Sequence, residues 1–149
     1  MQIACSMSAW KGSVDDALRG VAAAGYACVD VIAIPGWHHL ELPQLVDGFE
    51  QTSSELSLLL DKHGLTPIGF NAAFENPYMR DDASKNTQRL KEAEALCKLM
   101  KKLGVKVASY FPGGNWPAQE MKRDDVLAGE VATIGEFIKT AEEYGVCLA

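Results

Sequence analysis

A chain of 149 residues, 48% apolar and with a net charge of −6, is one domain or part of one. No apolar run approaches the roughly 20 residues that span a bilayer, and no basic run beyond Lys101–Lys102 provides the clustered positive footprint of a nucleic-acid surface. Met1 leads into strand-like residues without a secretory leader, and the four cysteines lack Cys-x-x-Cys spacing, so the expectation is a cytoplasmic protein with buried, reduced thiols.

The elements repeat. Gly25, Gly64, Gly104 and Gly145 recur at intervals of 39, 40 and 41 residues, each closing an amphipathic stretch and opening an apolar, β-branched run. A glycine just past a helix end supplies the left-handed residue that stops it. The chain therefore reads as four strand–loop–helix–glycine units with a fifth strand begun.

The first strand is expected over residues 2–6. Its helix opens at Ser13, a good N-cap, with Asp15 and Asp16 in the first turn and Leu18, Val21 and Ala22 inward. The second strand, 28–34, is nearly all apolar apart from Asp30, as a strand covered on both faces should be. A helix beginning between Gly48 and Ser54 runs to His63, with Leu56, Leu59 and Leu60 as its stripe. The third strand is 66–71. The third helix, 84–103, carries Leu90, Ala93, Leu96, Cys97, Met100 and Leu103 at the helical period, and pairs Glu94 with Lys98 on its solvated side. A fourth strand follows at 105–111. The fourth helix starts near Asp124 and directs Leu127, Val131, Ile134, Ile138 and Ala141 inward. A fifth strand begins at Val146.

Helix-to-strand turns are short, whereas the strand-to-helix segments 7–12, 35–47, 72–83 and 112–123 are long. In parallel α/β folds the site lies at the carboxyl ends of the strands, on these segments. They hold Trp10, Trp37 and Trp116 as well as His38, His39, Phe74, Glu75, Asn76 and Tyr78. Aromatic rings beside polar groups suit a small polar ligand with apolar faces, such as a sugar. Of two adjacent histidines, at most one faces a pocket. Asn71, at a rigid strand end, is better placed to meet a ligand than Glu75. The run 112–115, Pro-Gly-Gly-Asn, and the serines Ser6, Ser8 and Ser13 with Gly12 offer only weak anion-binding signals. The four strand ends, Ser6, Ile34, Asn71 and Phe111, supply no carboxylate, so no metal constellation is complete.

The phrases at 24–32, 63–71, 103–111 and 141–149 resemble those of the xylose isomerase-like TIM barrels, which include sugar isomerases, sugar-phosphate isomerases and epimerases, and inositol-catabolism relatives. The resemblance covers the whole chain in register with its units. It implies an α/β fold of parallel (βα) units in sequence order, the first half of a (β/α)8 barrel, with residues 1–149 as the N-terminal half of one domain. A barrel needs about 200 residues or more. The implied activity is isomerisation or epimerisation of a sugar, sugar phosphate or inositol derivative. It would depend on a divalent metal (Mn, Mg, Co or Zn) held by strands five to eight, so none is expected on this chain alone. By position, Trp10, His38, Asn71 and Trp116 fall on the substrate wall. The implied partners are a small sugar and either the missing C-terminal half or a second copy, with no nucleic acid and no membrane. The competing reading is a complete flavodoxin-like or receiver-like domain for binding or signalling. A receiver wants acidic residues after strand one, where this chain has Ser6, Met7 and Ser8.

Overall fold

The computed structural model describes residues 3–37, 39–74, 83–111 and 123–149. The elements in chain order are β1 (Ala4–Ser6), a 3-10 turn (Met7–Ala9), α1 (Val14–Ala23), β2 (Cys28–Ala33), α2 (Leu42–Asp47), α3 (Phe49–His63), β3 (Thr66–Ala73), α4 (Ala83–Leu103), β4 (Val107–Phe111), α5 (Arg123–Tyr144) and β5 (Cys147–Leu148). The strands form one parallel sheet in the order β1-β2-β3-β4-β5. A doubly wound domain would place β1 between other strands, so the flavodoxin-like reading is excluded.

The repeated glycines do what their spacing predicts. Gly25, Gly64, Gly104 and Gly145 all have φ between 65° and 85°. Each closes its helix with the same pair of hydrogen bonds. At Gly64, its own N–H donates to Asp61 O at 3.1 Å and the N–H of Leu65 donates to Leu60 O at 3.0 Å. This double bond is the Schellman motif, which satisfies carbonyls the helix end leaves open. Four identical stops return the chain each time to the same end of the sheet, which suits strands that all run parallel.

The start of α1 is equally well determined. The Ser13 hydroxyl accepts from the Asp16 N–H at 3.2 Å, and Asp16 reaches back to the Ser13 N–H at 3.3 Å. Ala17, Leu18 and Val21 are buried, while Ala22 is half-buried.

Several expectations need correction. The segment 35–47 contains a six-residue helix, α2, with Pro43 in its first turn. It is too short to show a periodicity, yet Leu42 and Leu45 anchor it in the core. The third strand runs two residues further than expected, to Ala73, and β4 begins two residues later, at Val107. The stripe on α5 is out of phase with the expected one: Phe137 and Ala141 are buried, whereas Val131 is 71% and Ile138 42% exposed. Phe137 sets this phase by packing on Phe74 (ring centroids 4.9 Å apart) and on Tyr110 (5.8 Å). The side chain of Leu127 lies outside the described residues.

Glu94 and Lys98 also take other partners. Tyr144 donates its hydroxyl to Glu94 at 3.0 Å, and the Lys98 ammonium lies 3.9 Å from the centre of the Phe49 ring and 4.0 Å from Glu50. All four cysteines are free thiols. Cys28 and Cys97 are buried, but Cys147 is exposed, because it stands on an open sheet face.

The two faces of the sheet differ. Val31, Phe70 and Ala108 point to the helices and are buried. On the other face, Val107 is 45% exposed, and Ser109 and Cys147 are also exposed. This open face is more polar than the apolar runs imply. Asp30, Asn71 and Ser109 all stand on it, because alternate residues of a strand share a face. Among the described residues no helix is long and apolar enough to cross a membrane.

Candidate functional site

The site begins where β1 and β2 end. Ser6 closes β1 and turns the chain by accepting from the Ser8 N–H at 3.3 Å. The 3-10 turn buries Met7 completely. Trp10, whose N–H donates to Met7 O at 3.0 Å, packs its ring against α1. After β2, Gly36 sits at φ 79° and the N–H of Trp37 donates back to Ile34 O at 3.2 Å. This reverse turn swings Trp37 toward Trp10. The two indoles, with Ser8, Lys11, Gly12 and Gly36, line a groove of about 360 Å³. Trp37 is 46% exposed, so one wall of the groove is open to solvent.

Of the residues expected on the substrate wall, Trp10 lies in this groove. Asn71 does not line it. It stands half-buried on the open face of the sheet, two residues before the end of β3, between Ile32 of β2 and Ser109 of β4. His38 and Trp116 lie outside the described residues, as do Glu75, Asn76, Tyr78 and the run 112–115. His39 points elsewhere. It is buried and lines a smaller hollow of about 170 Å³ on the helix side, with Val14, Glu41, Thr52 and Glu55. The serines of the first loop are engaged locally. Ser6 caps the 3-10 turn and Ser13 caps α1, while Ser8 lines the groove.

Trp37 is the residue that position alone passes over. Its signal is local, a Pro35-Gly36 pair directly after an apolar strand, which marks a turn that reverses the chain.

One carboxylate stands on the open face of the sheet. Asp30 lies mid-strand in β2, beside Ser6 of β1 and Gly69 of β3. Burial raises its pKa above the ordinary carboxylate value, and a hydrogen bond from Ser6 offsets part of the rise. A Cβ at Gly69 would stand 3.1 Å from Asp30 Oδ1, so the missing side chain there makes room for the carboxyl. Asp30 is one layer below Asn71 and Ile32, level with Ser6 at the end of β1. Among the described residues no three His, Cys, Asp or Glu side chains gather as a metal-binding set. These residues therefore do not by themselves fit a divalent cation.

No protein-family model matches the sequence, and no curated protein is significantly similar to it. Solved structures do match. A D-tagatose 3-epimerase-like protein superposes on all of this chain with a TM-score of 0.73 at 16% identity, using 52% of its own length. The D-psicose 3-epimerase from Clostridium cellulolyticum H10, solved with D-tagatose, matches 99% of this chain with a TM-score of 0.68 at 17% identity, using 51% of its own. A xylose isomerase-like TIM barrel protein from Mycobacterium smegmatis, in complex with magnesium, matches 99% with a TM-score of 0.67 at 17% identity, using 53% of its own. The chain spans about half the length of each of these structures. At such identities the likeness establishes the fold alone: five parallel strands in sequence order with interleaved helices, matching about half of each TIM barrel.

Proposed function

We propose that residues 1–149 are the N-terminal half of a sugar isomerase or epimerase barrel. They supply part of the substrate wall, and the other half of the barrel supplies the metal site. The observation that carries this reading is the aromatic groove between Trp10 and Trp37, lying at the carboxyl ends of strands arranged as in half of the sugar epimerases above. Barrel enzymes of this kind place substrate at that end of the strands. Two indoles flanked by a hydroxyl and an ammonium match a ligand with apolar ring faces and polar edges.

In this reading Trp10, His38, Asn71 and Trp116 belong to the substrate wall. Trp10 offers a ring face and Asn71 an amide that donates and accepts. The substrate is a sugar, a sugar phosphate or an inositol derivative. Bound by the complete barrel, a divalent metal would polarise the substrate's carbonyl and hydroxyl oxygens. The described residues of this half hold no set of ligands for it. What the chain does is bind and orient the sugar and shield one side of it from water.

The test compares the 149-residue chain with a complete barrel made by adding a C-terminal half. Both are incubated with D-fructose, D-tagatose, pentulose phosphates and inositol derivatives in the presence of Mn²⁺, Mg²⁺ or Co²⁺, and products are separated by chromatography. Interconversion by the complete barrel and none by the 149-residue chain is the expected result. Turnover by the 149-residue chain alone, or stoichiometric micromolar metal binding to it, overturns the division of labour proposed here.

A further inference from the structure

The α1 helix contains a glycine in an unexpected place. Gly20 lies within α1, four residues before its C-cap at Ala24, and glycine there costs about 1 kcal/mol relative to alanine. Unlike the four glycines that stop helices, Gly20 has no left-handed backbone to justify it. Its justification is lateral. A Cβ built on Gly20 would stand 2.1 Å from Nε1 of Trp10, 2.3 Å from its Cδ1 and 2.5 Å from its Cε2. These separations lie far inside van der Waals contact. The pyrrole half of the Trp10 indole thus occupies the space that a side chain at position 20 would fill.

We infer that Gly20 is a positioning residue. By leaving out a side chain, it provides a seat on the α1 backbone that fixes the Trp10 ring as one wall of the groove facing Trp37. Trp10 is held at both ends, by buried Met7 before it and by the seat on α1 beneath it. A tryptophan whose ring is clamped this way loses little side-chain freedom when a ligand arrives, which lowers the cost of binding. The seat itself is read from geometry alone. Its consequence for substrate binding rests on the sugar-enzyme reading above.

The chain has three tryptophans, so the Trp37→Phe, Trp116→Phe variant leaves Trp10 as the sole emitter. Introducing Gly20→Ala into that variant is expected to shift Trp10 emission to the red and to increase its quenching by acrylamide, because the ring is lifted off the helix into solvent. Thermal unfolding gives a second, independent readout. Gly20→Ala is expected to lower the Tm when Trp10 is present. In a Trp10→Ala background it should leave the Tm unchanged or raise it, since alanine is the better helix former. If Gly20→Ala alone fails to fold, recovery of folding in the Trp10→Ala background supports the seat, and failure in both backgrounds overturns it. Unchanged emission and quenching, with the same Tm change in both backgrounds, also overturns it. In the complete barrel, Gly20→Ala should raise KM for D-tagatose several-fold more than it lowers kcat. A complete barrel that turns over none of the sugars refutes the functional reading and leaves the fluorescence and Tm comparison to decide the seat.

Discussion

Asp15 sits in the first turn of α1, where a carboxylate faces the positive end of the helix, and it also ties α1 to the end of α3. Lys62 Nζ donates to both its oxygens, at 2.8 and 3.0 Å, and His63 Nε2 lies 2.7 Å from Oδ1. These bonds, Lys62's first and His63's second, hold the Asp15 carboxyl down from 3.8 to about 2. A carboxyl depressed in the fold contributes stability that is complete above its unfolded value and is lost as pH falls through its folded value. Asp15→Asn should therefore lower stability at neutral pH, and the gap to the unmodified chain should close as pH falls from 3.8 toward 2. Denaturant titrations at a series of acid pH values check this. A gap that stays constant down to pH 2 would show that the carboxylate's charge is not what Lys62 and His63 recognise. Asp30 acts in the opposite sense. Burial raises its pKa, so its ionised form opposes folding and protonation relieves the penalty as pH falls through the raised folded value.

Among the elements, α5 makes the clearest demand on packing. Phe137 is 1% exposed between Phe74 and Tyr110, while Val131 on the same helix is 71% exposed. Phe137→Ala should cost about 3–5 kcal/mol, the range for emptying a buried aromatic site. Val131→Ala should stay within about 0.5 kcal/mol. Chemical denaturation of the two variants separates them, and equal losses would contradict the observed phase of the helix. Sequence alone placed the start and stop of this helix but not its phase. Ile134 and Ala141 fit either stripe, and the choice was made by Phe74, just after β3, and Tyr110 of β4, both far away in the chain. The same limit hid α2, whose six residues are held by Leu42 and Leu45 in a core no local pattern reveals. What was legible was the punctuation: left-handed glycines and the Ser13 cap act through their own backbone and declare themselves locally. In the groove, the place of Trp10 after β1 was legible. Its pairing with Trp37 was not, because that depends on how two loops meet.

At the scale of the whole molecule, the sheet is covered on one face and open over β4 and β5 on the other. Val107 and Cys147 of adjacent strands present an apolar strip beside Ser109, and Ile3, just before β1, is 63% exposed. On the helix layer, Val131 and Ile138 add exposed apolar surface along α5. In the described residues β1 and β5 each have one strand neighbour, so the sheet ends in two unpaired parallel edges. Such edges template pairing with another chain, and contiguous bare apolar surface draws a partner. A (β/α)8 barrel resolves both features by closure, with the second half pairing the edges and filling the interior. The central claim, that this chain is half of such a barrel, is tested most directly by sedimentation equilibrium of the 149-residue chain over a range of concentrations. The expected result is an apparent mass that rises with concentration, returning to that of a single barrel when a C-terminal half is joined. A sharp, concentration-independent monomer mass with cooperative thermal unfolding would contradict the half-barrel account.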